Sequence, residues 1–205
     1  MNKAAIKETL ETIIFVVVAI IIIRFYVGEI RWIPSASMHP TLLEGDRVFV
    51  ERVSRFYKAP VRGDIMVFYP PQETLSTNPI SVFSRLTGFF CKDIAYIKRV
   101  IGVPGDKVEV VHNEDGSNDV LINDKPLDEP YIADRNEYPE CTEDMMCGPL
   151  VLGDDEYFMM GDNRGHSADS RYWGVLKKNR FIGRAKLLFW PLNRFNYFGI
   201  KDYND

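Results

Sequence analysis

The sequence of 205 residues is poor in the residue types that mark several classes of protein. It has three Cys and three His, with no Cys-x-x-Cys and no zinc-like spacing, so neither a disulfide-rich scaffold nor a zinc domain is indicated. It also lacks a positive charge excess: 25 Lys and Arg against 29 Asp and Glu give a net charge of -4, which argues against nucleic-acid binding. It has no internal repeat and no low-complexity tract. With 46% hydrophobic and 26% charged residues the chain is globular, and an enzyme, a binding domain or a membrane-anchored domain all fit.

The one long apolar run is near the N-terminus, at residues 13–23. A helix of that length spans about 16 Å, whereas the hydrocarbon core of a bilayer is about 30 Å thick. A membrane span therefore needs the flanking residues as well, over 10–30.

Three interpretations of this run are compatible with the sequence. Besides a membrane anchor, Lys3 and Lys7 before it and the small residues 35–37 after it are typical of a cleavable signal peptide. The third is a buried core helix, for which so many β-branched residues around the whole circumference are unusual. Because Arg24 and Arg31 lie between the run and the small residues, we favour the anchor.

The rest of the chain changes character after residue 31. Short β-branched and aromatic runs, separated by turn residues, predict strands at 47–52, 65–69, 94–103, 107–111, 119–122, 157–160 and 185–190. Two of them flank Glu114-Asp115-Gly116 and predict a hairpin. We therefore expect a single anchor in residues 1–30 and a mostly β domain in 31–205, with a coiled antiparallel sheet or barrel-like form. Two stretches, 70–90 and 129–153, look like insertions.

Two serines form the first chemically suggestive feature. Ser35 and Ser37 lie between Pro34 and Pro40, and proline restricts both itself and the residue before it, which predicts a stiff, extended loop. A stiff loop can hold a nucleophilic hydroxyl in place. The alternative is a serine-rich linker leaving the membrane.

A serine nucleophile needs a base, and either a histidine or a buried lysine could serve. The three histidines are His39, His112 and His166. Lys98 alternates with Ile94, Tyr96 and Val100 along one strand, so it is an amine on an apolar strand face. Burial there would depress its pKa, because the charged form loses its solvation. The alternative is a lysine reaching into water at the rim of the sheet.

A dense polar segment, residues 159–174, follows the strand at 157–160. In it Asp169 and Arg171 can form an ion pair, and Ser167 can hydrogen-bond a buried amine. The segment fails the Gly-x-Ser-x-Gly pattern because Asp169 replaces the last glycine, and the chain has no Ser-x-x-Lys motif. The alternative is a loop that only holds itself together.

These segments together resemble the bacterial type I signal peptidases. Residues 34–42 match the family pattern Pro-Ser-x-Ser-Met-x-Pro-Thr-Leu, 96–106 match Tyr-Ile-Lys-Arg-x-x-Gly-x-Pro-Gly-Asp, and 161–171 match Gly-Asp-Asn-Arg-x-x-Ser-x-Asp-Ser-Arg. Residues 45–48 and 62–65 fit two further family boxes. Five boxes in the right order are specific, and the resemblance as a whole spans about residues 10–190.

The resemblance implies a serine protease with a Ser–Lys dyad, in which Ser37 is the nucleophile and Lys98 the general base. It implies that the Ser35 hydroxyl and the Ser37 backbone N–H form the oxyanion hole, and that Ser167 orients the lysine. Two further pairs follow from it: Asp169 and Arg171 as a structural salt bridge, and Ile33 and Ile97 as the lining of shallow substrate pockets.

The resemblance further implies partners and a location. The substrates would be secreted preproteins with Ala-x-Ala cleavage sites, and no metal or cofactor is implied. The anchor would lie in the cytoplasmic membrane with its N-terminus inside and the catalytic domain outside, against the lipid surface. Whether the stretch 70–90 contacts a partner such as the translocon is left open by the sequence. A domain outside the cytoplasm permits disulfides, and the family sometimes has one near Cys141 and Cys147. By default we take these two and Cys91 as free thiols.

His166 departs from the family pattern. This departure leaves open a variant in which a histidine assists catalysis.

Overall fold

The computed structural model describes residues 3–87, 93–114, 117–132 and 141–199. Its helices are α1 (Lys3–Ile22), α2 (Pro79–Thr87) and α3 (Ser170–Trp173). Its strands are β1 (Gly28–Trp32), β2 (Arg47–Glu51), β3 (Ile65–Phe68), β4 (Tyr96–Gly102), β5 (Lys107–His112), β6 (Asn118–Ile122), β7 (Lys125–Pro126), β8 (Leu150–Val151), β9 (Glu156–Met160), β10 (Leu176–Lys177), β11 (Phe181–Trp190) and β12 (Asn196–Tyr197).

The strands form two antiparallel sheets. The larger has eight strands in the order β1-β2-β11-β3-β4-β9-β10, with β12 paired to β11. The smaller has four strands in the order β7-β6-β5-β8. Strand β11 is bent by register irregularities against both of its neighbours, β2 and β3, and bulges of this kind curl a sheet. The expectation of a mostly β, coiled antiparallel fold behind one apolar helix is confirmed.

The pattern of side chains explains where the core lies. Strand β3 is buried on both faces: Ile65 and Val67 pack into one hydrophobic cluster, whereas Met66 and Phe68 pack into another. Strands β2 and β5 instead alternate, so that only every second residue is fully buried. Strand β3 is therefore central, and its neighbour β4 is held between the two clusters.

Helix α1 continues through a π-helical turn, Ile23–Val27, to form an apolar rod of 25 residues. The rod is long and apolar enough to cross a membrane, since its most apolar window has a mean hydropathy of 2.5. No residue of α1 is buried, so the interpretation as a core helix is wrong. Helix α2 packs beside the end of this rod.

The predicted anchor runs too far along the chain. It was expected to extend to residue 30, but β1 begins at Gly28 and pairs with β2 over its whole length. A Cβ atom on Gly28 would overlap the carbonyl oxygen of Val50 and the ring of Phe49, so only glycine lets the two strands approach here. The apolar residue Ile30 belongs to a sheet edge and not to the helix.

The seven expected strands are all present, with ends that differ by a few residues. The hairpin of β5 and β6 is confirmed by the pairing of His112 with Asn118, although part of its turn, 115–116, lies outside the described residues. The stretch 70–90 contains α2, which the sequence did not indicate. Residues 88–90 of this stretch lie outside the described residues. Of the stretch 129–153, residues 133–140 lie outside them too.

The default of three free thiols is wrong for two of the cysteines. Cys141 and Cys147 are joined by a disulfide, with their Cα atoms 6.1 Å apart. The third, Cys91, lies outside the described residues.

Candidate active site

The two serines lie just after β1, at the edge of the large sheet. Ser37 is in a 3₁₀ turn, Ala36–Met38, whereas Ser35 before it is extended, so the prediction of an extended loop is wrong at Ser37 itself. The turn is held from below because the Met38 side chain is completely buried in the core. It is held from the side by Asn163, whose backbone N–H donates to the Ser37 carbonyl at 3.2 Å and whose side-chain amide donates to the Ala36 carbonyl at 3.1 Å.

Lys98 lies on β4 with its amine against the Ser37 hydroxyl. The Lys98 Nζ to Ser37 Oγ distance is 2.6 Å, and the lysine is only 4% exposed. Burial is the main reason that the pKa of Lys98 falls from 10.5 to about 8; Arg171 lowers it further, whereas Asp169 and Asp162 oppose the shift. The alternative of a lysine reaching into water at the sheet rim is wrong.

Ser35 lies beside this pair. Its Oγ is 3.4 Å from Ser37 Oγ, and the residue is exposed on the open side of the site. Ser35, Ser37 and Lys98 all line the same cleft.

Ser167 lies in the wall of the site but does not make the expected bond. It is 5% exposed, and its Oγ has no hydrogen-bond partner among the described residues, so no bond to Lys98 is formed. The hydroxyl faces the backbone of Gly161, where a Cβ would overlap both Ser167 Oγ and the Ser37 carbonyl. Glycine at position 161 therefore lets Ser167 and the Ser37 loop pack closely together.

The ion pair expected between Asp169 and Arg171 is present and buried. Arg171 Nε is 2.9 Å from Asp169 Oδ1, and Arg171 also donates to the Arg164 carbonyl at 2.7 Å. Asp169 in turn accepts from the Gly161 backbone N–H at 3.1 Å. The pair therefore fixes the end of β9 against the polar loop that follows it.

Two further buried ion pairs surround the site, and sequence reasoning missed both. Arg99 donates to both oxygens of Asp162, at 2.8 and 2.6 Å, and Thr41 donates to Asp162 as well. Arg164 pairs with Glu129. Arg99 and Asp162 lie inside the matched family boxes, and this position could have pointed to their pairing. Glu129 lies in an apparent insertion, so nothing in the sequence indicated its pairing with Arg164.

A cleft of about 380 Å³ opens over Ser37 and Lys98. Its walls are mostly small or apolar: Pro34, Ser35, Ile94, Ala95, Tyr96, Ile97, His166 and Ala168. Of the two expected pocket residues, Ile97 lies in the wall, but Ile33 is 2% exposed and belongs to the core. Two larger cavities, of about 450 and 550 Å³, are lined by neither member of the Ser37–Lys98 pair.

The exposed ring of His166 also borders the cleft, and its Nδ1 lies 3.3 Å from Asn163 Oδ1. Within the described part of the chain, the amine of Lys98, and not an imidazole, hydrogen-bonds the Ser37 hydroxyl.

The sequence is similar to known proteins over most of its length. Residues 6–190 match the model of a family described as signal peptidase, peptidase S26, and the chain belongs to that family. It is 39% identical over 194 residues to a signal peptidase I of Leptolyngbya laminosa, covering 95% of this chain and 84% of the relative. It is 33% identical over 199 residues to signal peptidase I S of Bacillus subtilis, covering 94% and 93%. A crystal structure of a signal peptidase I from Enterococcus faecalis aligns with a TM-score of 0.42 and 28% identity, covering 63% of this chain and 98% of that one.

Proposed function

We propose that this protein is a membrane-anchored serine endopeptidase that removes signal peptides from secreted preproteins, with Ser37 as nucleophile and Lys98 as general base. Family membership and relatives named signal peptidase I support the activity. The single observation that carries the residue roles is the 2.6 Å contact between the Lys98 amine and the Ser37 hydroxyl in a buried setting.

The lowered pKa of Lys98 makes the proposed chemistry feasible. With a pKa of about 8, an appreciable fraction of the amine is neutral near pH 8 and has a lone pair for the Ser37 proton. As that proton moves to Nζ, Oγ attacks the scissile carbonyl carbon. The oxygen of the tetrahedral intermediate is stabilised by the Ser37 backbone N–H and the Ser35 hydroxyl.

The same amine completes both halves of the reaction. Protonated Lys98 gives its proton to the departing amine, which is the new N-terminus of the mature protein, and an ester to Ser37 remains. Neutral again, Lys98 takes a proton from water, and the resulting hydroxide cleaves the ester. The proton then returns to Ser37 Oγ, so the enzyme is regenerated.

The cleft supports a preference for small side chains. Ala95, Ile97 and Ala168 form a shallow, largely apolar wall beside Ser37. Alanine fills such a wall, whereas a large side chain would stay partly in water, so an Ala-x-Ala site is the expected substrate.

Retention of the N-terminal helix is part of the proposal. Removal of residues 1–37 would take away β1, which pairs with β2, and the nucleophile itself. We infer that α1 spans the cytoplasmic membrane once, with the catalytic domain on the outer face where preproteins emerge. Intact mass of the membrane-purified protein checks this, and a mature N-terminus at Met38 would contradict the proposed nucleophile.

The decisive experiment is cleavage of a preprotein with an Ala-x-Ala site by the full chain in detergent. Wild type should cut it, and S37A and K98A should lose nearly all activity. K177A should keep its activity, because Lys177 is exposed and does not line the cleft over Ser37 and Lys98. Unchanged melting temperatures for S37A and K177A would show that the fold is intact.

Two outcomes would overturn the assignment. Cleavage by K98A, with a pH midpoint near the ordinary histidine pKa of about 6.5 that is lost in H166A, would make His166 the base. Absence of cleavage by wild type on several preproteins would favour the competing hypothesis, an anchored binding domain without catalysis.

A further inference from the structure

A buried carboxylate surrounded by arginines lies where the apolar rod meets the sheet. Glu29, on β1, is 4% exposed. Its Oε2 is 2.6 Å from Arg24 of the π-helical turn and 2.9 Å from Arg52 after β2. Its Oε1 is 2.6 Å from Arg31 of β1. We call Glu29, Arg24, Arg31 and Arg52 the anchor-base cluster.

The cluster has more positive charge than one carboxylate balances. Three guanidinium groups against Glu29 leave a local excess of two charges, in a chain whose net charge is -4. The Nε atoms of Arg24 and Arg52 are buried and have no hydrogen-bond partner among the described residues. The side chains of Arg24 and Arg31 are 30% and 32% exposed, so an anion can reach them from outside.

The surroundings of the cluster place it at the level of lipid headgroups if the rod spans a bilayer. Arg55 donates to the Phe25 carbonyl at 3.0 Å and lies 4.7 Å from the centre of the Phe25 ring. Tyr26 and Phe56 are exposed aromatic side chains of the same region, with ring centres 5.8 Å apart. Aromatic belts of this kind mark the boundary between hydrocarbon and headgroups.

Helix α2 adds exposed apolar side chains next to these aromatic residues. It packs beside the end of the rod, and its Ile80 and Phe83 side chains are exposed. Apolar side chains in that position gain from contact with acyl chains, which would bring the neighbouring arginines to the phosphate layer.

We propose that the anchor-base cluster binds the phosphate of an anionic phospholipid in the membrane that holds α1. The phosphate diester neutralises part of the excess charge, and the exposed edges of Arg24 and Arg31 supply paired N–H donors that suit phosphate oxygens. The buried side chain of Arg52 keeps its ion pair with Glu29. Because β1 runs from this cluster to the loop of Ser37, the bound lipid fixes the start of the catalytic domain against the membrane surface.

The test measures which lipids remain on the full chain. The protein is placed in bilayers of equal phosphatidylglycerol and phosphatidylcholine, extracted gently, and its retained lipids are counted by native mass spectrometry. Wild type should retain phosphatidylglycerol preferentially. The double variant R24Q/R31Q should lose about 25-fold of that preference, since each basic residue near an anionic surface contributes about fivefold in affinity. Its Glu29 still pairs with Arg52, so the fold should persist, as a melting curve checks.

Two control variants distinguish the loss of specific arginines from a general loss of positive charge or of structure. K125Q removes one positive charge from an exposed position on β7 and should leave lipid retention unchanged. R31K keeps the charge and should keep most of the preference for phosphatidylglycerol. Equal retention of the two lipids by wild type, or undiminished selectivity in R24Q/R31Q, would refute the site.

The melting temperature of the protein distinguishes binding of a free anion from binding of a lipid at the anchor-base cluster. Inorganic phosphate added to protein in pure phosphatidylcholine should stabilise it no more than chloride at equal ionic strength. A rise specific to phosphate would assign the cluster to a soluble anion and overturn the lipid proposal.

Discussion

Replacing Lys98 by methionine should inactivate the enzyme and make it more stable. Methionine keeps the unbranched, flexible shape and removes the charge that the buried site desolvates. The pKa of Lys98 falls from 10.5 to about 8, and each pKa unit corresponds to about 1.36 kcal/mol. The charged lysine therefore reduces the free energy of unfolding by about 3 kcal/mol at pH 7, and the methionine variant escapes this penalty.

The difference in the free energy of unfolding between K98M and wild type should decrease as the pH rises. Below pH 8 the lysine is protonated in both the folded and the unfolded chain, so the whole penalty is present. Between pH 8 and 10.5 only the unfolded chain binds the proton, so the stability of wild type rises with pH. Above 10.5 the lysine is neutral in both states, and the difference between wild type and variant should vanish.

Thermal unfolding of the full chain in detergent, from pH 6 to pH 10.5, is the assay. At pH 7 the melting temperature of K98M should exceed that of wild type by about 6–12 °C, because a domain of this size shifts about 2–4 °C per kcal/mol. K177M, which removes an exposed, ion-paired lysine, is the control and should show no such gain. If K98M is no more stable than wild type at pH 7, or if the difference is the same at every pH, desolvation of Lys98 is not what lowers its pKa.

Three other predictions test the site. In H166A the value of kcat/KM should still rise with pH through a midpoint near 8, the pKa of Lys98, and a midpoint moved by more than one pH unit would implicate the histidine. In D169N the midpoint should fall below that of wild type, because the carboxylate of Asp169 raises the lysine pKa; a rise would contradict this electrostatic effect. In G161A cleavage should drop at least tenfold, since the new Cβ would overlap the carbonyl oxygen of Ser37. In G199A the nearest contact is 4.0 Å away, so that variant should be neutral in the same assay.

The sequence predicts most strands because they depend on local patterns. The alternation around Lys98 correctly places an amine on an apolar strand face, and the structure buries it there. What alternation does not predict is that Ser37, 61 positions away in the chain, lies 2.6 Å from that amine. That proximity was expected only from the resemblance to a family with a Ser–Lys dyad, since a contact between residues so far apart in the chain has no local signature in the sequence.

The features that sequence reasoning missed depend on long-range contacts or on local exceptions. Glu129 and Arg164 are 35 positions apart, and each alone looks like an ordinary surface residue. Strand β1 was assigned in part to the anchor because Ile30 extends the apolar region, while the close approach that Gly28 permits is visible only in the folded chain. The disulfide was missed because two cysteines six positions apart in a loop are compatible with both a bridge and two free thiols, and only the folded chain shows their Cα atoms 6.1 Å apart.

The low pKa of Lys98 depends on the neighbouring carboxylates being already occupied. A buried lysine ordinarily pairs with a carboxylate, and such a partner raises the lysine pKa. Asp162 and Asp169 are both close enough to act on Lys98, but Arg99 and Arg171 bind them. Guanidinium groups win this competition because they donate two parallel hydrogen bonds and stay charged when buried. The amine is thus left with the Ser37 hydroxyl as its hydrogen-bonding partner, so desolvation prevails over attraction and the lysine can act as a base near neutral pH.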